Sequence, residues 1–165
     1  DMEIIAAPVD LLGINFYTRE FVSADDSYVA PPDTPRNTMG WEVYPPALGG
    51  LLEWIHGRYQ FPGYMITENG CPMPDNIRDD ERIIDDDRLA FVRDHLAQVH
   101  AAIEAGMPME GYLVWSMFDN FEWAWGYGPT FGIVEVNYET QQRIPKKSAL
   151  WFSEAARANA IEVPH

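Results

Sequence analysis

Glu68 and Glu122 stand out among the carboxylates of this 165-residue sequence because of what surrounds them. Glu68 closes the run Tyr64-Met65-Ile66-Thr67 and is followed by Asn69-Gly70. A short β-compatible run stopped by turn residues reads as a buried strand. In a parallel α/β barrel, reactive groups sit at the C-terminal ends of the strands, so a carboxylate there faces the mouth and is available for catalysis. A helix or loop cap is the structural alternative for an acid before Asn-Gly. Glu122 lies between Phe121 and Trp123, in a stretch that also holds Phe118, Trp125, Tyr127 and Phe131. A carboxylate in apolar surroundings is costly unless it accepts hydrogen bonds, and the hydroxyls of a sugar stacked on such rings would donate them. The alternative is an aromatic cluster that seals one end of the fold, with Glu122 in a salt bridge.

A third group of acids, Asp79, Asp80, Glu81, Asp85, Asp86 and Asp87, has the oxygen ligands that a calcium ion needs. Its spacing departs from the alternate-position loop with a Gly and a closing Glu. Asp85, Asp86 and Asp87 read instead as the cap of a helix, where carboxylates meet free N–H groups and the positive end of the dipole. A calcium-dependent interaction domain on this loop is one competing function. His95 and His100 lack metal-ligand spacing, and neither a metal nor an organic cofactor is implied.

The elements that must position these residues can be read from the pattern of apolar side chains. Leu11 to Tyr17 is a near-continuous apolar run with polar groups only at its end, the pattern of a parallel strand covered on both faces. Strand alternation sends Phe16 to the core and Tyr17 the other way. Residues 19–46, punctuated by Pro31, Pro32, Asp33, Pro35 and Asn37, form a long loop of the kind that is usually functional. Within it Trp41 either stacks on a sugar or anchors the loop. Leu48, Leu51, Leu52 and Ile55 make one apolar helix face. Leu89, Val92, Leu96, Val99 and Ile103 make a second, on a helix ended by Gly106 and Pro108. Tyr112 to Ser116 reads as the next strand, residues 132–138 as a hairpin strand before the polar turn 139–142, and residues 148–159 as a closing helix.

Composition narrows the function classes. With 47% hydrophobic residues and six Trp the chain is built to fold as one domain. A net charge of −15 repels nucleic acids and anionic membranes. No hydrophobic run approaches spanning length, and the N-terminus has no signal-like core. The lone cysteine, Cys71, has no partner for an internal disulfide, so a reducing, cytoplasmic setting is the expectation. The start at Asp1-Met2 suggests a piece of a longer polypeptide.

Six ordered stretches carry a family resemblance: Asp10 to Thr18, Met39 to Pro45, Tyr64 to Gly70, Asp79 to Gly106, Gly111 to Tyr127 and Thr130 to Phe152. The sequence resembles family 1 of the glycoside hydrolases, the β-glucosidases and their relatives, over nearly all of residues 1–165. That resemblance implies the C-terminal portion, about strands six to eight, of a TIM (β/α)8 barrel. It makes Glu68, in Ile-Thr-Glu-Asn-Gly, the nucleophile of a retaining β-glucosidase. Tyr17 orients it through the phenol hydroxyl, and Asn15 reaches the same site. Trp41 is placed near the leaving-group side, Trp115 against the ring face, and Phe131 near the non-reducing sugar. Glu122 binds O4 and O6 of that sugar, and Trp123 a neighbouring hydroxyl through its indole N–H. Substrates would be β-glucosides, with fucosides and galactosides close behind. Gly128-Pro129-Thr130 replaces the cationic segment of many relatives, which makes sugar phosphates poor candidates, and Trp125 stands where many carry an acid.

The acid/base of that family lies in an Asn-Glu-Pro triplet on the fourth strand, and this sequence has none. Activity would then need the N-terminal half of the barrel, supplied by the same protein or by a companion chain. Three parallel strands alone leave two open edges and an uncovered face. A non-catalytic sugar-binding or assembly segment of the same fold is the alternative function.

Overall fold

A computed structural model describes residues 1–25, 29, 34–75, 78–79 and 82–162. A short helix α1 (Met2–Ile5) precedes strand β1 (Leu12–Asn15). Helix α2 (Pro46–Arg58) and strand β2 (Tyr64–Asn69) follow, then a small antiparallel pair, β3 (Arg78–Asp79) and β4 (Arg82–Ile83). Helix α3 (Asp86–Glu104) leads into strand β5 (Met109–Val114). A single 3₁₀ turn (Trp123–Trp125), the hairpin β6 (Val134–Val136) and β7 (Arg143–Pro145), and helix α4 (Lys147–Ala158) complete the chain.

The principal sheet has three strands in the order β1-β2-β5, and both pairings are parallel. Parallel neighbours need a crossover, and here α2 and α3 supply it. Both helices pack on one face, where Ile14, Phe16, Leu48, Leu52, Tyr64, Ile66, Val99 and Met107 form the core. The expected α2 stripe is seen: Leu48 and Leu52 are fully buried, and Leu51 and Ile55 pack against that cluster. Proline at the start of α2 suits a position whose N–H has no helical partner. The stop of α3 also follows the sequence: Gly106 takes φ +92°, Met107 N bonds Ala102 O at 3.0 Å, and Gly106 N bonds Ile103 O at 2.9 Å.

Several expectations are corrected. β1 was expected to be covered on both faces, but Gly13 and Asn15 are exposed and only Ile14 is buried. The other face of the sheet is open as well at Leu113, 49% exposed on β5. Beside that edge lies a hollow of about 590 Å³, floored by Tyr112, Val114, Pro145 and Phe152. β5 begins at Met109 and ends at Val114, earlier than expected. β2 does not stop at Glu68 but runs through Asn69, which is buried. The reason is hydrogen bonding across the sheet: Asn69 Nδ2 donates to Phe16 O at 2.7 Å, and its Oδ1 accepts from the Tyr112 hydroxyl.

The buried face of α3 is rotated from the expected one. Arg88, Phe91, Val92, His95 and Val99 are buried, whereas Ile103 is 47% exposed. His95 is accommodated by rings, its centroid 4.0 Å from Phe91 and 5.9 Å from Phe16. Asp85 occupies the N-cap position of α3 but makes no side-chain cap there. Its carboxylate accepts instead from Arg88 Nη1 at 2.6 Å and from Ser148 N at 2.8 Å, so it caps α4 rather than α3. Asp86 and Asp87 do lie in the first turn of α3, as the dipole favours.

Candidate active site

Glu68 sits one residue before the end of β2, in register with Asn15 at the end of β1. The two strand ends are tied by Phe16 N, which donates to Glu68 O at 2.9 Å. Tyr17, next along, donates its hydroxyl to Glu68 Oε2 at 2.7 Å. Burial raises the Tyr17 phenol far above its ordinary range, and the bond to Glu68 with the charges of Glu68 and Glu122 pushes it the same way. The phenol therefore stays protonated and remains a donor. Its ring packs edge-on against Trp41 at 5.9 Å and Phe131 at 6.2 Å, and those two rings lie 6.1 Å apart.

Trp41 is held by loop chemistry the sequence reading did not resolve. The Asn37 side-chain oxygen accepts from Met39 N and Trp41 N, each at 3.0 Å, and Gly40 turns the chain with φ +80°. Thr38 N and Oγ1 both reach Pro72 O, at 3.2 and 3.1 Å, which staples this turn to the segment after Glu68. Glu42 is 2% exposed and takes a forked ion pair from Arg19, at 2.7 and 3.1 Å. The Arg19 guanidinium lies 3.6 Å from the Tyr44 ring centroid. Its bond to Glu42 keeps that carboxyl below the usual range despite burial. Residues 26–28 and 30–33 of the expected loop, Pro31, Pro32 and Asp33 among them, lie outside the described residues.

Glu122 is partly buried, and its Oε2 is buried with no hydrogen-bond partner among the described residues. An unpaired buried acceptor costs about 1–3 kcal/mol, so a donor arriving from outside would be strongly held. Trp115 is partly exposed, and its backbone closes on β2: Trp115 N donates to Asn69 O at 2.9 Å. A Cβ at Gly70 would stand 1.6 Å from the Trp115 carbonyl oxygen, which explains the glycine after Glu68-Asn69. Asn15 is exposed and accepts from Thr67 Oγ1 at 2.6 Å. The fold thus brings Glu68, Tyr17, Trp41 and Phe131 together, with Asn15, Trp115 and Glu122 around them. Trp123 stands apart, 81% exposed, its ring in no aromatic contact among the described residues.

Beneath this site lies a buried ionic network. Asp75 accepts from Arg88 Nη1 at 2.7 Å and Lys146 Nζ at 2.6 Å, and Asp119 accepts from Lys146 Nζ at 3.1 Å. Burial works against the Asp75 charge, yet the two cations hold its carboxyl below the usual range. At Asp119 burial prevails over Lys146 and raises the carboxyl. Only the proximity of Arg88 to the acidic run hinted at this in the sequence. Residues 80 and 81 of that run lie outside the described residues. No group of three or more His, Cys, Asp and Glu able to hold a metal ion occurs among the described residues.

The strand end of a parallel sheet thus carries a phenol-bound carboxylate ringed by aromatic side chains. Comparison with known proteins identifies the family. The profile of glycosyl hydrolase family 1 matches residues 1–161, and the chain belongs to that family. It is 39% identical over 167 residues to Beta-glucosidase A of Thermotoga maritima, covering 98% of this chain and 37% of that protein. It is 35% identical over 174 residues to the Bifunctional beta-D-glucosidase/beta-D-fucosidase of Bifidobacterium breve, covering 92% and 38%. The solved family 1 β-glucosidase of T. maritima superimposes with a TM-score of 0.92 at 38% identity, over 98% of this chain and 38% of that one. The chain thus spans little more than a third of the relatives it matches.

Proposed function

We propose that this chain is the nucleophile-bearing segment, about strands six to eight, of a (β/α)8 barrel that hydrolyses terminal β-glucosides with retention of configuration. β-Fucosides and β-galactosides are the next candidates, and one relative is itself a glucosidase and fucosidase. The observation that carries this reading is Glu68 at its strand end, with Tyr17 donating to Oε2 at 2.7 Å between the rings of Trp41 and Phe131. A Glu68 oxygen attacks the anomeric carbon, the bond to the departing oxygen breaks, and an α-linked glycosyl ester forms. The leaving oxygen takes its proton from an acid/base on the remaining part of the barrel, about 5–5.5 Å from Glu68 in a retaining site. Water, deprotonated by that same group, then cleaves the ester and restores Glu68.

Within this reading the orphaned Oε2 of Glu122 receives sugar hydroxyls, Asn15, Trp41, Trp115 and Phe131 complete the pocket, and the exposed Trp123 offers its indole N–H to a neighbouring hydroxyl. The exposed Leu113 and the open hollow beside β5 support a partner that is the N-terminal half of the barrel, whether on the same polypeptide or a companion. The single thiol, Cys71, buried, supports a cytoplasmic setting. The test is Glu68→Ala in the whole barrel with an aryl β-glucoside, paired with mechanism-based labelling by a 2-deoxy-2-fluoroglucoside. Turnover should vanish while the melting temperature is kept, and the label should map to Glu68. Preserved turnover, or a label on another residue, overturns the assignment.

A further inference from the structure

The loop that carries Glu122 runs from Asp119 to Thr130, and both of its feet stand on buried cations. Asp119 accepts from Lys146 Nζ at 3.1 Å and from Gly132 N at 2.9 Å. Thr130 gives its carbonyl to Arg88 Nη2 at 2.8 Å and donates its hydroxyl to Met73 O at 2.9 Å. One carboxylate joins the two cations: Asp75, on the segment that follows Glu68, accepts from both. Lys146 and Arg88 are 0% and 1% exposed, so water screens neither contact.

Between its feet the loop has lighter ties: Asn120 Nδ2 donates to Ser116 Oγ at 2.8 Å, and the Tyr127 ring lies 4.5 Å from that of Tyr138. Phe121, Trp123, Trp125 and Tyr127 are all exposed by more than half. Glu122 N bonds Gly126 O at 2.7 Å, a contact within the loop that does not locate it on the barrel. A buried ion pair contributes little net stability, because desolvation offsets attraction, whereas its geometry is demanding. A chain of such pairs through Asp75, Lys146 and Asp119 ties the segment after Glu68 to one foot of the loop that carries Glu122.

We propose that Lys146, bridging Asp75 and Asp119, is a positioning residue that holds Glu122 at the distance from Glu68 a bound sugar requires. This rests on the reading of Glu122 as a sugar-binding group. The test is a double-mutant cycle of Lys146→Met and Glu122→Ala in the whole barrel, with an aryl β-glucoside and an aryl β-xyloside, which lacks the C6 hydroxymethyl group. Misplacing a binding group should lower kcat/KM for the glucoside about 10-fold in Lys146→Met, mostly through KM, and for the xyloside about 3-fold. In the Glu122→Ala background Lys146→Met should add nothing.

A merely structural lysine would cut both substrates equally and add fully to Glu122→Ala, and either result overturns the proposal. If Glu122→Ala itself leaves the glucoside-to-xyloside preference unchanged, the sugar-binding reading falls and this proposal with it. Should Lys146→Met not fold, Asp119→Asn, which keeps the acceptor and its shape, goes through the same cycle with the same pattern expected at smaller size.

Discussion

Replacing Tyr17 by Phe keeps the ring that packs against Trp41 and Phe131 and removes one hydroxyl, the one donated to Glu68 Oε2 at 2.7 Å. A hydrogen bond to a charged group contributes about 1.5–3 kcal/mol and one to a neutral acceptor about 1 kcal/mol. In the proposed mechanism Glu68 is a carboxylate in the free enzyme and an ester in the intermediate. Tyr17 therefore stabilises the carboxylate by about 0.5–2 kcal/mol more than the ester. That difference assists the second step, in which the charge on Glu68 reappears. Tyr17→Phe should slow deglycosylation by about 2- to 30-fold and lower kcat to match. Glycosyl-enzyme should accumulate, seen as a burst of phenol on rapid mixing and as a mass increase in acid-quenched protein. The ratio kcat/KM, which reports the first step, should fall less, because only orientation is lost there. Unchanged kcat with no burst, or an equal fall in kcat and kcat/KM, refutes this reasoning.

Burial lowers the His95 imidazole from 6.5 to about 4, so the unfolded chain takes up that proton first as pH falls. Its contribution to stability is complete above pH 6.5 and drains away between 6.5 and 4, by about 3 kcal/mol in all. Urea titrations at neutral pH and at the lower end of that window should show a smaller acid loss in His95→Leu than in the parent; equal losses would count against it. Gly70→Ala should cost about 3 kcal/mol, the upper end of the overpacking range, because the new Cβ would lie 1.6 Å from the Trp115 carbonyl oxygen and backbone cannot yield cheaply. A melting temperature within a degree or so of the parent's would contradict that.

What the sequence by itself determined is local in origin. The strand that carries Glu68, the α2 face of Leu48 and Leu52, and the helix stop at Gly106 each follow from residues a few positions apart. The ordered motifs shared with family 1 of the glycosyl hydrolases are equally a property of the chain alone. Tertiary structure decided the rest. Asn69, a turn residue by type, continues its strand because an acceptor waits just past the end of β1 and a donor on β5. Arg88 and Lys146 are charged, and a periodicity reading sends them to the surface. They are buried because Asp75, Asp85 and Asp119 meet them there, one of those partners 71 positions away. A side chain's desolvation cost is written in its type, but the groups that repay it arrive from segments distant in sequence, so which charges go inside is settled only when the elements pack.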